Sequence, residues 1–484
     1  MNKQECAIKY VEDNYLQFNR LRHDIIADKL QVRCAHPIGE RLRAPHDTSV
    51  AGDPAEAKGE RQEQWREMTK HDINSIVCHA AQEYDANITS REVMTALQSD
   101  LIPDVHPLRE YILSLQPYTP DQPDWIDLVA QKVTVKPSLL SDDRPKGLLD
   151  RTSCCETTCS TPKSHELFQG PRTLRDRTEG AERPMESLSE ACERSKADRL
   201  WRGCFKKWFV AMVASWMKDE VVNHQVLVLI GKQGIFKTTW LEHLIPPHLR
   251  AYACKLANSN DLNKDERLRI AEFGLISLDE IDSMNNRELN QLKSVITATD
   301  VNERAAYAYT KERRVRLASF CASGNRRDFL TDITGNRRWL PFEVESIQNP
   351  FTTILPYERM YAQAWALAQD PLFSYWFDLE EIEVLEQHNQ YFRDESNEEQ
   401  LLPILFDVPA EGRGEFMTTA QISERLVTYG NIKKPMALSR LGMVLGAAGY
   451  RSTRPKIGGR LIRGWLVYQR DTDEVASLRR LLKE

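Results

Sequence analysis

The stretch VLVLIGKQGIFKTTWLEHL, residues 226–244, decides how the centre of this chain folds. Its first five residues are all apolar, which is typical of a buried strand, and residues 238–244 can continue as a helix. A loop at such a strand-to-helix turn can bind a triphosphate, because its backbone N–H groups and the helix N-terminus point at the anion. The spacing from Gly231 to Lys237 fits the pattern GxxxxGK[ST] except at Phe236, where the pattern requires glycine. The stretch is therefore either a nucleotide site with an unusual wall or an apolar strand and helix that flank a lysine.

The side chains at the end of this loop have the chemistry of a nucleotide site. Lys237 would add positive charge at the β- and γ-phosphates, and the Thr238 hydroxyl can ligate Mg²⁺. Phe236 stands where glycine is needed for its backbone angle, so it must either take a negative φ or accept strain. The loop by itself leaves both interpretations open.

An acidic pair ends a later apolar run, FGLISLDEID at residues 273–282. At the end of a strand beside the loop strand, Asp279 would hold the Mg²⁺ shell and Glu280 would polarise the attacking water. A solvated acidic turn explains one carboxylate but not the succession of strand, loop and strand. Lys237 together with Asp279 therefore favours a nucleoside triphosphatase.

Polar residues also follow the next apolar run, within RLASFCASGNRRDFLTDITGNRRWLPFEVE at residues 316–345. Asn325 ends a strand, where its side chain could reach the γ-phosphate or the water. Arg337 and Arg338 lead into the following strand and could neutralise charge on a nucleotide bound by a neighbouring subunit. The alternative for the two arginines is a solvated strand end. An arginine that acts on a neighbour's nucleotide requires a homo-oligomer.

Apolar runs alternate with helical segments between residues 225 and 344, which predicts an α/β domain with a largely parallel sheet. The predicted strands are 226–230, 273–279, 315–323 and 337–345. The chain divides further into a hairpin with a flexible segment, a helical domain, a disordered linker, the α/β domain and a C-terminal domain. Their predicted ranges are 1–61, 62–137, 138–197, 198–395 and 401–484.

Two segments have the composition of nucleic-acid contacts. Tyr307 and Tyr309 precede Lys311, Arg313 and Arg314 in a predicted hairpin, which would supply rings for base stacking and charge for phosphates of single-stranded DNA. A plain exposed hairpin remains the alternative.

The C-terminal segment from residue 425 to 470 has ten basic residues and no Asp or Glu. Helices at 419–429 and 437–449, followed by two strands that turn at Gly458-Gly459, resemble a winged-helix module that binds DNA. A small protein–protein domain is the alternative. The basic residues predicted to contact DNA are Arg451, Arg454, Lys456 and Arg460.

Composition excludes several classes of protein. The chain has 484 residues, 41% hydrophobic and 28% charged, with a net charge of −6, which is ordinary for a globular protein. No window reaches the roughly 20 apolar residues of a membrane span, and the N-terminus lacks a signal-peptide pattern, so we expect a cytoplasmic protein without membrane contact. The cluster CCETTC at 154–159 lacks a CxxC or HxxxH partner, which favours free thiols over a metal site.

In order along the chain, these motifs resemble the virulence-associated protein E family of phages, plasmids and mobile islands. The resemblance rests on GKQG..KTT, LISLDEID, ASF.ASGNRRDFLTDITGNRRWLPFEV and, upstream, INSI…IPDVHPLREYILSL. It covers about residues 62–137 and 200–345, and the C-terminal part is similar to a domain appended in Bacteroides-type members. It implies an AAA+-like P-loop NTPase core similar to superfamily 3 helicases, with an N-terminal helical domain and a C-terminal winged-helix-like domain.

The resemblance also implies roles for individual residues. The Walker A residues would be Gly231, Gly234, Lys237, Thr238 and Thr239, and the Walker B pair would be Asp279 and Glu280. Asn325 would be sensor 1, Arg337 or Arg338 the arginine finger, and the hairpin near Lys311 the track for single-stranded DNA. Phe236 departs from the family pattern at the last loop glycine, and the stretch 138–197 is not required by it. A catalytic acidic pair of the primase type, which many members have in an N-terminal domain, is not seen in the sequence.

Three functions follow as hypotheses. The first is an ATP- and Mg²⁺-dependent, helicase-like motor, a hexameric ring that serves replication or mobilisation of a mobile element. The second is a DNA-binding regulator or defence protein whose nucleotide site is a switch or has decayed, which Phe236 favours. The third, a metal-dependent nuclease, needs a carboxylate cluster beyond Asp279 and Glu280, and the sequence offers none.

Overall fold

The computed structural model describes seven segments of the chain, and most of the predicted linker and the CCETTC cluster lie outside them. The described residues are 2–36, 62–137, 188–256, 264–303, 312–331, 336–409 and 414–470.

The N-terminal part is an α/β layer built on a four-stranded sheet. Its elements are α1 (Lys3–Val11), β1 (Leu21–Asp24), β2 (Lys29–His36), β3 (Gln62–Glu67), α2 (Lys70–Glu83), α3 (Ser90–Leu97) and β4 (Asp104–Val105). The strand order is β3-β2-β1-β4, with β1 antiparallel to β2 and parallel to β4. The predicted hairpin corresponds to β1 and β2. The helices share one apolar core with the sheet, around Tyr10, Ile76 and Val93.

Residues 62–67, which the sequence analysis assigns to a helical domain, form strand β3 instead. They pair with β2 along their whole length. The polar stretch QEQWRE has no alternation that would reveal a strand. Its partner lies elsewhere in the sequence, and the Arg22 guanidinium lies 4.2 Å from the centroid of the Trp65 ring. Tertiary pairing therefore overrides the local pattern.

The central part is a mixed α/β domain whose six-stranded sheet has the order β5-β12-β6-β11-β8-β7. Its elements are α4 (Pro107–Ser114), α5 (Trp125–Ala130), β5 (Val133–Val135), α6 (Leu188–Met217), β6 (Val226–Ile230), α7 (Lys237–Glu242), β7 (Ala253–Leu256), α8 (Lys264–Glu272), β8 (Leu275–Leu278), α9 (Asn286–Thr297), β9 (Asp300–Glu303), β10 (Glu312–Val315), β11 (Ser319–Gly324), β12 (Trp339–Ile347), α10 (Tyr357–Gln369) and α11 (Leu379–Gln390). All neighbouring strands are parallel except β5, which is antiparallel to β12, and β9 and β10 form a separate hairpin. The predicted α/β fold with a largely parallel sheet is thus confirmed.

The helical domain predicted at 62–137 is divided between these two parts. Its first helices, α2 and α3, pack with α1 on the N-terminal layer, whereas α5 packs on α6 and β5 joins the central sheet. The buried hydroxyl of Tyr252 donates to Asp24 at 2.5 Å and connects the two parts. Long-range packing, which helical periodicity does not report, sets this division.

From Leu200 to Trp216 the residues of helix α6 are buried, except Arg202 and Lys206, which are partly exposed. Three indole N–H groups donate to carbonyl oxygens of neighbouring elements: Trp201 to Ala130, Trp208 to Phe320 and Trp216 to Gly274. A tryptophan that buries its ring and satisfies its N–H in this way is a packing residue. The aromatic residues of α6 thus build the core behind the sheet.

Two boundaries differ from the prediction. Helix α6 begins at Leu188, inside the linker predicted at 138–197. The sequence did not indicate this start, because the first turns of the helix are polar and the described side chains become buried only from Ala197. The strand predicted at 315–323 is two strands, β10 and β11, separated at Arg316.

The buried Arg316 guanidinium separates these strands. It donates to the carbonyl oxygens of Asn223, Ala298 and Ala318 at 2.9, 3.3 and 3.0 Å. Burial lowers the pKa of Arg316 to about 9. A cation held by carbonyl dipoles at the end of α9 fixes the start of β11, because a buried charge must be paired with hydrogen-bond acceptors.

The C-terminal part follows the predicted order of helix, helix and hairpin. Its elements are α12 (Asn397–Leu405), β13 (Phe406–Asp407), β14 (Glu415–Met417), α13 (Thr419–Gly430), α14 (Leu438–Ala447), β15 (Arg451–Thr453), β16 (Lys456–Ile457), β17 (Arg460–Leu461) and β18 (Gly464–Gln469). Strand β18 pairs with β13, β14 and β15. The β16-β17 hairpin turns at Gly458-Gly459, where both glycines have positive φ.

Candidate functional site

The glycine loop (residues 231–236) leaves the carboxyl end of β6 in the middle of the sheet, between β12 and β11, and enters α7. The Gly231 N–H donates to the Gly324 carbonyl at 3.1 Å, which ties the loop to the end of β11. A Cβ at Gly231 would lie 2.8 Å from the Val344 carbonyl oxygen, so only glycine fits there. Ligands of open α/β sheets bind at such carboxyl ends, where the chain leaves in different directions.

Phe236 adopts the left-handed conformation that the loop pattern reserves for glycine. Its φ is 66° and its ψ 19°, so of the two alternatives for this position the structure has the strained one. The six described non-glycine residues with positive φ are four Asn or Asp, which tolerate it, together with Phe236 and Glu280. Strain in a non-glycine residue tends to concentrate at functional sites, and here both cases border the candidate site.

Lys237 is 7% exposed and points its ammonium group back into the loop. The Nζ donates to the carbonyl oxygens of Gly231 and Lys232, both at 2.7 Å, and to Asn325 Oδ1 at 3.3 Å. Burial lowers the pKa of Lys237, whereas Asp282 and Asp279 oppose that shift. The structure therefore brings Lys237 and Asn325 together.

Asp279 is joined to the start of α7 through hydroxyl groups. Its Oδ1 accepts from Thr238 at 3.2 Å and from Ser323 at 2.6 Å, and the two hydroxyls lie 2.9 Å apart. The Lys255 ammonium lies 2.8 Å from Asp279 Oδ2. Burial would raise the pKa of Asp279, but the hydrogen bonds from Lys255 and Ser323 and the Lys255 charge outweigh it, so this pKa is lowered.

Asp282 holds the end of β11 in place. Its two carboxylate oxygens accept the backbone N–H groups of Asn325 and Arg326, both at 3.1 Å. Glu280 is exposed and lies between Asp279 and Asp282 in sequence. The hydrogen bond to Asp279 and the charges of Asp279, Glu242 and Glu280 raise the pKa of Lys255. Thr239 follows Thr238 in α7, and its carbonyl accepts from His243 Nδ1 at 2.7 Å.

Arg337 and Arg338 lie at the amino end of the parallel strands, opposite the end where the glycine loop lies. They precede Trp339, which is paired with Val226, the first residue of the strand that ends in the glycine loop. Burial lowers the pKa of His224, and the nearby charges of Arg316, Arg338 and Arg337 lower it further. Within one chain, these arginines are thus separated from Lys237 by the length of β6.

The span that holds these groups matches a known family. Residues 176–398 match the family model described as the virulence-associated protein E-like domain. This part of the chain is similar to a virulence-associated protein E-like domain. The match includes Lys237, Asp279, Asn325 and Arg337, whereas the N-terminal layer and most of the C-terminal part lie outside it.

Three solved structures with which the chain aligns are apo forms of the C-terminal region of NrS-1. The first, of NrS-1 residues 305–718, is 11% identical with a TM-score of 0.40, covering 96% of this chain and 100% of that one. The other two are 10% and 11% identical with TM-scores of 0.39 and 0.38. They cover 96% and 94% of this chain and 99% and 98% of their own. Among curated proteins no sequence matches this chain.

The hairpin of the virulence-associated protein E-like domain presents only part of the predicted basic surface. Lys311 lies outside the described residues, as do Tyr307 and Tyr309. The Arg313 side chain is 76% exposed and pairs with Asp300 at 2.6 Å. Arg314 is partly buried beside the N-terminal layer, 3.2 Å from Asp28 and 3.9 Å from Glu272. Arg314 is therefore engaged within the chain, which the local sequence did not indicate.

Outside the matched domain, basic residues cluster on one hairpin, the basic wing (residues 451–463). Arg451, Arg454, Lys456 and Arg460 are all exposed. Helix α14 differs, because its outward residues include Leu438 and Met443, at 49% and 59% exposure.

The only basic residue of α14, Arg440, donates to the Thr331 carbonyl of the matched domain at 3.2 Å. The positive charge of this part thus lies on the wing rather than on the second helix.

Three residues of the candidate site were not predicted from the sequence: Asp282, Ser323 and Lys255. Ser323 lies inside an apolar run, but it precedes Asn325 by two positions and so shares its face of the strand. Asp282 belongs to the FGLISLDEID stretch, but it lies three residues beyond Asp279, past the end of the strand. Lys255 is on the edge strand β7 and has no sequence signal.

No group of three or more His, Cys, Asp or Glu side chains close enough to hold a metal occurs among the described residues. In the same part of the chain, none of the helices has the length and apolarity needed to cross a bilayer.

Proposed function

We propose that this protein is a Mg²⁺-dependent ATPase that acts on DNA during replication or mobilisation of a phage, plasmid or integrated mobile element. One observation carries the proposal. At the carboxyl end of a parallel sheet, Lys237 and Asn325 lie beside a hydrogen-bonded chain formed by Thr238, Ser323 and Asp279. The virulence-associated protein E-like match supports the biological setting. In this proposal the central part is a P-loop NTPase core of the AAA+ type.

The residues divide the chemistry of phosphoryl transfer. The glycine loop, with Gly231 and Gly234, would wrap the phosphates with backbone N–H groups. The Lys237 ammonium, which now donates to loop carbonyls, would exchange them for phosphate oxygens. Glu280 would accept a proton from the water that attacks the γ-phosphorus, and the bond to the β–γ bridging oxygen would break to give ADP and phosphate. Asn325 would orient that water or the γ-phosphate.

The fit to Mg²⁺ can be judged from the donor atoms. Mg²⁺ favours oxygen ligands and is usually held by one or two carboxylates together with waters and substrate phosphates. The Thr238 hydroxyl and the Asp279 carboxylate, 3.2 Å apart, offer such oxygens, and the lowered pKa keeps Asp279 ionised. Bound there, Mg²⁺ would neutralise charge on the β- and γ-phosphates.

The place of Arg337 and Arg338 favours an oligomer. Because they lie at the amino end of the strands, opposite the glycine loop, they would reach a nucleotide only on a neighbouring subunit. A head-to-tail arrangement of this kind gives a ring if the rotation closes. The family resemblance implies a hexameric ring with helicase activity. DNA would contact the hairpin through Lys311 and Arg313, and a duplex would contact the basic wing.

ATP turnover of purified protein, with and without single-stranded DNA, tests the proposal. We expect Mg²⁺-dependent hydrolysis that DNA stimulates, and Lys237→Ala should abolish it because the phosphates lose their buried cation. Glu280→Gln should retain ATP binding and lose turnover. The matched control is Lys232→Ala, an exposed lysine of the same loop. Wild-type turnover in Lys237→Ala would refute the site.

The second candidate function is a nucleotide-controlled DNA-binding regulator or defence protein without turnover. The separation of the arginines from the glycine loop favours it for a chain that stays monomeric. ATP binding without hydrolysis, by a species that remains monomeric in sedimentation, would select this function.

A further inference from the structure

An exposed aromatic ring stands beside the glycine loop, on the connection between β12 and α10. Phe351 is 72% exposed, and its ring centroid lies 6.3 Å from that of Phe236 and 5.4 Å from that of His243. The interplanar angles are 81° and 86°, so both neighbours meet Phe351 nearly at right angles. The ring is thus supported by the loop and by α7 and remains open to solvent.

The backbone around this ring is fixed by one side chain. Asn349 Oδ1 accepts the Phe351 N–H at 3.0 Å, and the Asn349 carbonyl accepts the N–H groups of Thr352 and Thr353 at 3.2 and 3.1 Å. The Tyr357 hydroxyl donates to the His243 carbonyl at 2.7 Å and holds the end of α7 against this connection. A ring held in place loses little conformational entropy when a ligand contacts it.

The sheet order places Phe351 on the side of the loop away from the catalytic groups. Asp279 and Asn325 follow β8 and β11, on one side of β6, whereas Phe351 follows β12 on the other. A nucleotide whose γ-phosphate lies near Asn325 and whose phosphates run through the glycine loop would therefore present its base toward β12. Single exposed apolar side chains are common on protein surfaces, but Phe351 combines its exposure with contact to Phe236 of the glycine loop, which places the ring where that base would lie.

We propose that Phe351 is the stacking platform for the base of a nucleoside triphosphate bound in the glycine loop. The inference rests on the proposed function, and it adds the part of the ligand that the phosphate-binding residues leave unrecognised. Stacking uses the π-face that every base has, so it accepts adenine and guanine alike. The platform would distinguish a nucleotide from a bare polyphosphate.

Calorimetric titration with ATP, GTP and inorganic tripolyphosphate, on Glu280→Gln protein to prevent turnover, tests this inference. Adding Phe351→Ala should weaken ATP and GTP by about fivefold or more, because base stacking on an aromatic ring is worth about 1–3 kcal/mol. Tripolyphosphate should bind as before, and Phe351→Trp should restore nucleotide binding. Trp376→Ala, which removes an exposed aromatic residue from the α10–α11 connection, is the matched control.

The outcomes separate this inference from the proposed function. Unchanged ATP affinity in Phe351→Ala, with binding lost in Lys237→Ala, would overturn the platform and leave the ATPase standing. An equal loss of ATP and tripolyphosphate binding would also overturn it, since Phe351 would then only support the loop. If the Glu280→Gln protein with Phe351 intact bound none of the three ligands, both the platform and the proposed ATPase would be refuted.

Discussion

The glycine loop and the basic wing offer positive charge to anions in opposite ways. In the loop, one buried ammonium group, that of Lys237, is directed by three oxygen acceptors. In the wing, several guanidinium and ammonium groups are exposed along a hairpin of few residues. A fixed, desolvated cation recognises a compact anion at one position, whereas an exposed row attracts a polymer through counterion release. The comparison implies that nucleotide binding depends on geometry and DNA binding on ionic strength.

Among residues that do not themselves contact the phosphates, the largest effect is expected at Asp282, which holds the end of β11. Asp282→Ala leaves the N–H groups of Asn325 and Arg326 without their acceptor, which should lower the free energy of unfolding by about 1–2 kcal/mol. Displacement of Asn325 should reduce ATP turnover by about tenfold or more, with ATP affinity changed less than about threefold. Turnover assays, calorimetry and thermal unfolding measure these effects.

The control for Asp282 is Asp328→Ala, which removes a carboxylate whose hydrogen bond is to the adjacent Arg327. Its turnover should equal that of the wild type. Equal turnover in Asp282→Ala would show that the end of β11 does not need this anchor.

A smaller effect, and one that depends on salt, is expected at the basic wing. The double substitution Lys456→Ala and Arg460→Ala should weaken duplex DNA binding by about tenfold at low salt and reduce the log–log salt slope by about 2, because two phosphate contacts disappear. ATP affinity should stay constant in the same variant. Fluorescence anisotropy over a salt series measures both slope and affinity.

The charge-matched control for the wing is Lys70→Ala with Arg91→Ala, two exposed basic residues of the N-terminal layer. If this control weakened DNA binding as much as the wing substitutions do, the wing would have no special role.

The smallest effect is expected at Phe236. Phe236→Gly relieves a left-handed strain of about 1 kcal/mol but loses ring packing of similar size, so the free energy of unfolding should change by less than about 1 kcal/mol. The backbone is already in the glycine conformation, so ATP affinity should stay within about threefold. Thermal unfolding and calorimetry check this, with a change above tenfold in affinity as the contradicting result.

The sequence predicted four of the six strands of the central sheet, β6, β8, β11 and β12, because each signal is local. Strands β6, β8 and β11 are buried on both faces and therefore appear as continuous apolar runs, and the polar residue after each run marks the carboxyl edge. Asp279 and Asn325 were found in this way, whereas Lys237 was found from the spacing of the glycine loop.

What escaped prediction depends on contacts between distant parts of the chain. Strand β3 is polar and becomes a strand only by pairing with β2. Lys255 reaches Asp279 from the neighbouring strand β7, and Arg314 pairs with Asp28 of the N-terminal layer. Residue type and spacing contain no information on such pairings.

Phe236 has a consequence for how such loops are recognised in other sequences. A pattern written in letters requires glycine, but the backbone requires only a dihedral angle near φ 66° and ψ 19°. The cost of that angle for another residue, about 1 kcal/mol, is offset by the packing that a large ring gains against its neighbours. Search patterns that insist on the last glycine will pass over chains of this kind, and a profile that scores the flanking strand, the lysine and the later carboxylate will retain them.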